Sequence, residues 1–450
     1  MTTPTAEKQL APAGGMYRRI ARNAAMFGSG TAASALFTML AVAIAARALS
    51  ARDFGVLVLL QSAVLMLRAL TTFSTQQPVI KLGSDAQAEG DRERLGAIVS
   101  MGLVVDLVAS AFAFAIAAFC IELSRGAIGL ADQDVGSAWI LAFSLLFTGY
   151  LTSNGIFRLY DRFGALSLVQ TLSAACLFVA YGALFLMGAR LQAFVSAWAI
   201  YLSTSSLWQL WVSLRLVHED GVQVRPTLRR FATADGRTLL HYCWSTWGTS
   251  TAETVRTNGD SLLIGAIVSV EAAGIYNAAR QLAGVLRKFN VVYMSTVFPE
   301  VARLASRNDT RGALRLKRRM FWAGAALAVV AVGLAAIFGH LVLKLLFGPR
   351  FVPAYLPFIF LTAAAVAQLV SMTPSMSVQV FRGPRLLLAL YVGATLVFLA
   401  AAVGLTFSLS ITGMAIAQLI FPLILGLACN VALRRVLVGT TSVDEAKRPI

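Results

Sequence analysis

The sequence predicts an all-α polytopic membrane protein, with twelve spanning helices in two sets of six. Three observations carry this. Apolar runs of about 20 residues, enough to cross a bilayer as a helix, recur along a chain that is 58% hydrophobic and only 13% charged, with mean hydropathy +0.74. Lys and Arg gather in alternate connections between the runs. Two stretches 219 residues apart also align without a gap. A soluble chain of this length cannot hide so much apolar surface, and the runs are continuous rather than alternating, which excludes a barrel.

The expected spans are 24–46, 54–77, 97–121, 137–157, 164–188, 191–214, 239–268, 272–303, 320–342, 353–377, 386–406 and 411–433. No apolar core precedes Met16, so no cleaved signal peptide is expected and the first span acts as the anchor. With the N-terminus inside, the inner segments carry 27 of the 38 Lys and Arg residues and the outer segments 6. That imbalance places both termini in the cytoplasm and requires an even number of spans. Arg47, Arg52 and Lys344 then lie outside, and residues 215–238 and 304–319 inside.

The polar connection 215–238 contains Pro226 and separates the sets of six. The expected organisation is a tail 1–23, a lobe 24–214, the linker, a lobe 239–433 and a tail 434–450. The stretch from Leu49, LSARDFGVLVLLQSAVLMLRAL, aligns with the stretch from Val268, VSVEAAGIYNAARQLAGVLRKF. Ser50 falls on Ser269, Gly55 on Gly274, Leu67 on Leu286 and Arg68 on Arg287. Each stretch is the first-to-second-span turn of its half. Both halves start inside, so the duplication is parallel, with its pseudo-axis along the membrane normal.

Several features carry no chemistry. Gly28-Ser-Gly30-Thr-Ala-Ala33, with Asp53 downstream, imitates a dinucleotide fingerprint, but it opens a spanning helix rather than following a strand. Its small residues suit close helix packing. Cys120, Cys176, Cys243 and Cys429 are far apart, without a CxxC, and read as small buried hydrophobes. His218, His241 and His340 have no metal spacing. No catalytic residue, metal or cofactor is expected. The basic residues explained by topology need no nucleic acid. Trp208, Trp211, Tyr242, Trp244, Trp247 and Trp322 stand at span ends as interfacial belts.

Charge inside the spans remains, and such charge needs a reason. The cations are Arg68, Arg256, Arg280, Arg287 and Lys288; the anions are Asp106, Glu253 and Asp260. Most lie on one hairpin, Leu239 to Val301, folded about a turn at Ser269–Ala272. Glu253, Arg256 and Asp260 share one helical face. The fold of the hairpin sets Asp260 level with Arg280 and Glu253 level with Arg287. Asp106 sits at about the depth of Arg68, and a pair is expected there too. These groups are either pairs that hold helices in register or the polar wall of a solute pathway. Cations outnumber anions five to three, and a surplus guanidinium at depth suits phosphate oxygens, which its planar fork can bind two at once. Pro374 and Pro299 are candidates for gating bends, whereas Pro78 and Pro353 mark boundaries.

The opening RNAAMFGSGTAASALFTMLAVAIAARALSARDFGVLVLLQSAVLMLRAL resembles the first hairpin of bacterial polysaccharide transporters. Asp260-Ser-Leu-Leu-Ile-Gly265 with Ala273-Gly-Ile-Tyr-Asn-Ala-Ala279 resembles the start of their second half. Leu346-Phe-Gly-Pro-Arg-Phe-Val-Pro-Ala354 is similar to their turn before span ten. The family is the O-antigen and exopolysaccharide flippases, in the superfamily of lipid II flippases and multidrug antiporters. The resemblance implies two six-helix lobes around a central cavity. It implies alternating access that carries an undecaprenyl-diphosphate-linked oligosaccharide from the cytoplasmic to the periplasmic leaflet of the inner membrane, with cavity cations receiving the pyrophosphate. Polysaccharide polymerase and export proteins would be its partners. The rival readings are a cation-coupled antiporter of the same architecture, which needs a carboxylate cluster, and a membrane glycosyltransferase or polymerase, which needs a long outer catalytic loop. The longest outer connection here is 122–136.

Overall fold

A computed structural model of the chain describes residues 13–127, 132–147, 151–224, 231–306 and 310–445, some of their side chains excepted. The described elements are all helical. The first lobe holds α1 (Ala13–Ala48), α2 (Ala51–Thr71), α3 (Gln76–Glu89), α4 (Arg92–Ala127), α5 (Asp132–Ser144), α6 (Leu151–Leu159), α7 (Phe163–Leu186) and α8 (Leu191–Glu219). The second holds α9 (Ala234–Ile267), α10 (Val270–Ser306), α11 (Thr310–Leu346), α12 (Tyr355–Arg382) and α13 (Pro384–Glu445).

Each expected span is helical over most of its described residues. Eight stretches are both long and apolar enough to cross a membrane by length and composition alone. The 49-residue stretch Arg385–Leu433 among them is two helices, because Ser410 leaves helical geometry (φ 56°, ψ −137°). A Cβ on Gly413 would overlap the backbone of Leu405. Residues eight apart on a straight helix stand about 12 Å apart, so α13 folds back on itself here. The long helices α8, α9 and α10, of 29, 34 and 37 residues, miss the threshold through their polar residues. Among the described residues the pattern is consistent with twelve crossings.

Two spans are not straight. The second is α2 followed by α3, interrupted at residues 72–75, and the described residues of the fourth form α5, a 3-10 turn at Leu145–Phe147, and α6. Pro78 therefore stands in the first turn of α3 rather than ending the span. The hairpin turn of the second lobe is shorter than expected: α9 ends at Ile267 and α10 begins at Val270.

The duplicated stretches fold alike in detail. The Ser50 hydroxyl accepts from the Asp53 N–H at 3.1 Å, and the Ser269 hydroxyl from the Ala272 N–H at 3.1 Å. Backbone bonds Leu49 to Ala45 and Phe54 to Ser50 recur as Val268 to Ile264 and Ala273 to Ser269. Each pair differs by 219. These serines cap their helices by satisfying an orphan N–H. Gly55 and Gly274, equivalent in the repeat, touch: a Cβ on Gly274 would lie 3.2 Å from the Gly55 Cα, and one on Gly55 would overlap the Val270 carbonyl. Equivalent residues of a two-fold repeat meet only beside its axis, so this contact marks where such an axis runs.

The lobes join through α1 and α2 against α9 and α10. At the end holding the Gly55–Gly274 contact, Phe54 meets Phe351 edge-on at 5.4 Å, and Arg47 donates to the carbonyls of Leu345 and Leu346 at the C-terminus of α11. At the other end, Arg94 forks onto Asp235 at 2.8 and 2.9 Å, Lys81 donates to the Tyr242 hydroxyl, and Phe73 stacks on Trp244 and meets Trp247 at a tilt. Trp247 and Thr251 also donate to the Leu70 and Ala69 carbonyls, near the C-terminal end of α2 where helical partners run out. These aromatics serve the contact between lobes and not only the bilayer interface. Small residues of α1 pack as expected: Gly30 leaves no room for a Cβ against Ser167 of α7. Cys243 and Cys429 are buried, whereas Cys120 and Cys176 are exposed, against expectation.

Candidate cationic pocket

The face of α9 that carries Glu253, Arg256 and Asp260 looks onto α10 and α13. Asp260 has 1% of its side chain exposed and meets Arg280 of α10 at 3.0 Å, as the hairpin geometry requires. It also accepts from the Tyr276 hydroxyl at 3.0 Å. Arg280 spends its remaining donors on the Thr257 carbonyl and the Asn277 side chain. This carboxylate and guanidinium are saturated, as buried ions must be.

The expected partnership of Glu253 with Arg287 does not form. Glu253 pairs with Arg256, one turn along α9, at 2.7 Å, and accepts from the Tyr391 hydroxyl of α13. The i,i+3 neighbour is close along the helix, and α13 closes over that pair through Tyr391 and Gln418. Arg256 donates also to Gln418 at 2.8 Å and lies 4.4 Å over the Phe421 ring, a cation–π contact. Gln418 returns its amide to the Arg256 carbonyl at 2.9 Å. Arg256 thus ties α9 to the second half of the folded α13, and Glu253, through Tyr391, ties it to the first.

Arg287 is left over. Its described hydrogen bond goes to the carbonyl of Arg280, at 3.3 Å. It lines a pocket of about 50 Å³ with Glu253, Arg256, Gln368, Gln418 and alanines of α10 and α12. Glu253, with 43% of its side chain exposed, is the open side of that pocket's wall, and Arg256, at 6%, the closed side. The space suits a few waters. Lys288 is next on α10, and its side chain lies outside the described residues.

In the first lobe the expected partners Asp106 and Arg68 do act on each other electrostatically, and Asp106 has further partners. Asp106 accepts from the Thr75 hydroxyl at 2.8 Å and from the Thr152 backbone N–H at 2.9 Å, and the two threonines bond each other at 3.1 Å. Thr75 precedes α3 and Thr152 stands in the first turn of α6, so Asp106 caps α6 through a backbone N–H and ties it to the start of α3 through a hydroxyl. The guanidinium of Arg68, buried in the last turn of α2, also attracts this carboxylate. Asp106 is a staple for two broken spans. Sequence reasoning missed Gln418, Tyr391, Thr75 and Thr152. Gln418 was within reach, as the sole amide of 411–429, since polar groups at depth call for partners whether charged or not.

Residues 20–305 match the family described as "Polysaccharide biosynthesis protein". The chain belongs to that family. A curated relative, "Inner membrane protein YghQ" of Escherichia coli (strain K12), is 27% identical over 358 residues, which are 76% of this chain and 96% of the relative. Among solved structures, the lipid II flippase MurJ in an inward closed conformation superposes with TM-score 0.71 at 12% identity, over 91% of this chain and 87% of the other. An inward-facing multidrug resistance MATE family transporter of the MOP superfamily superposes with TM-score 0.70 at 14% identity, over 91% and 96%. At these identities the likeness establishes the shared fold.

Proposed function

We propose that this inner-membrane protein, with both termini cytoplasmic, is a flippase and not an enzyme. It moves undecaprenyl-diphosphate-linked oligosaccharide units from the cytoplasmic to the periplasmic leaflet by alternating access between its lobes, for surface or exopolysaccharide synthesis. The observation that carries this reading is Arg287: a mid-span guanidinium bonded to a carbonyl, lining a pocket beside Arg256, while the carboxylates nearby are held by other arginines. A cation in a low-dielectric wall favours an anion, and a diphosphate offers the paired oxygens a guanidinium fits. The pocket holds no such ligand at its present size, so substrate entry requires α10 and α12 to part. The MATE likeness supports an antiporter, but Asp260 and Glu253, the acids that would bind a coupling ion, are engaged by Arg280 and Arg256.

The test is surface polysaccharide production in a strain that lacks its own flippase and carries variants of this chain, with membrane levels measured by immunoblot. Arg287→Ala should reduce export roughly ten- to a hundredfold at normal protein level, the loss expected of a charged hydrogen bond. Arg287→Lys should restore part of it, since the charge stays and the fork is lost. Full export by Arg287→Ala would remove the pocket from the mechanism.

A further inference from the structure

A second concavity lies on the other side of α12. Residues 361, 364, 365 and 368 of α12 line the Arg287 pocket, whereas 363, 366, 367, 370, 371 and 374 line a trough of about 790 Å³. The two sets fall on opposite faces of the helix. The trough has α12 as its floor and α11 and α13 as its walls. Its shape follows from two glycines. A Cβ on Gly324 would overlap Val370, and one on Gly426 would lie 3.2 Å from the Ser371 Cβ, so both walls sit directly on the floor. The walls themselves hardly touch among the described residues. Pro374 and Pro422 interrupt hydrogen bonding in the floor and one wall.

The trough opens sideways, where Phe321, Leu423, Leu427 and Val431 are exposed on the protein surface. Its α11 wall, from Lys317 to Ala328, is about 16 Å long at 1.5 Å per residue. That is about half the 30 Å hydrocarbon core, or one acyl chain. Lys317 and Arg318 stand at its mouth. They belong to TRGALRLKRR, residues 310–319, which holds five cations and no acid. A basic run at the start of a spanning helix attracts anionic lipid headgroups.

We propose that this trough is a binding site for an anionic phospholipid of the surrounding bilayer, its acyl chain on α12 and its phosphate on Lys317 and Arg318. The isoprenoid substrate fits less well, because α12 stands between the trough and Arg287, so one molecule cannot lay its tail in the trough and its phosphate on that arginine. A second copy of the chain related by a two-fold would bring two basic mouths together. A lipid seated here presses on α12 directly behind the Arg287 pocket, and would steady the helix whose displacement opens it.

Purified full-length protein is exposed in turn to phosphatidylglycerol with a photoreactive acyl chain, phosphatidylcholine with the same chain, and a photoreactive polyprenyl phosphate. Labelled peptides are then mapped. Phosphatidylglycerol should label 321–328 and 423–431. Lys317→Gln with Arg318→Gln should weaken that labelling roughly ten- to thirtyfold, as two surface cations would. Ala328→Phe, which fills the trough, should block it while the basic mouth stays. Equal labelling by both phospholipids, stronger labelling by the polyprenyl phosphate, or cross-linking of two chains through the trough would each overturn the proposal.

Discussion

Arg68 and Arg287 are counterparts in the duplicated stretches, 219 residues apart, and their surroundings have diverged. Arg68 stands in the last turn of α2, which stops at Thr71, and the span restarts only at Gln76. Arg287 stands near the middle of α10, which continues to Ser306. Beside the first, Asp106 spends its oxygens on the restarted helices α3 and α6. Beside the second, the carboxylates are matched to Arg256 and Arg280, and the counterpart arginine faces a pocket. The same residue at the same place in a repeat therefore lies buried beside Asp106 in one lobe and lines a pocket in the other. What differs is the course of the backbone after it: a broken span creates unmet N–H groups that claim the local acid, and an unbroken one does not.

The largest effect should come from Asp106→Ala. It strands the Thr152 N–H and the Thr75 hydroxyl in the interior, at about 1–3 kcal/mol for each unsatisfied group. Protein level in the membrane and the melting temperature in detergent should both fall, and export should fall only in proportion to protein. A variant that keeps its level yet loses export would give Asp106 a place in transport and erase the contrast between lobes. Next is Arg287→Ala, for which the reverse pattern is expected: normal melting, with export reduced roughly ten- to a hundredfold.

Arg68→Met sharpens the same contrast at smaller cost. A buried cation replaced by an apolar chain of similar length is often close to neutral, so export per molecule should stay near the parent level and stability should move by about 1 kcal/mol or less. Export abolished at normal protein level would make the two arginines functional equals. The smallest effect concerns the contact between lobes at Asp235. The Arg94 guanidinium holds this carboxyl below its ordinary value. Stability from the pair is therefore fully present above the ordinary carboxylate value of about 4 and is lost as the pH falls through the lower folded value. Asp235→Asn should melt slightly below the parent at neutral pH, and the gap should close on acidification. A gap independent of pH would assign the effect to packing.

Much of this molecule is legible in one dimension. Hydropathy locates the spans, because a bilayer offers backbone no hydrogen bonds and so admits only helices as apolar runs. The offset of 219 predicts matching turns, and Ser50 and Ser269 cap theirs alike. The Asp260–Arg280 contact also follows from the sequence, since a hairpin with a tight turn sets residues at equal distance from it side by side. The three-dimensional packing decided the rest. Glu253 had two arginines within reach, and the choice fell to Arg256 once Tyr391 and Gln418, from a helix more than a hundred residues away, closed around it. Asp106 went to Thr75 and Thr152 because two spans break beside it, and neither break is marked by proline at its own residues. The amount of charge at depth is a property of composition. Which charge is left without a matching acid depends on helices that meet only after folding, since each buried ion takes the nearest partner that also satisfies its other hydrogen bonds.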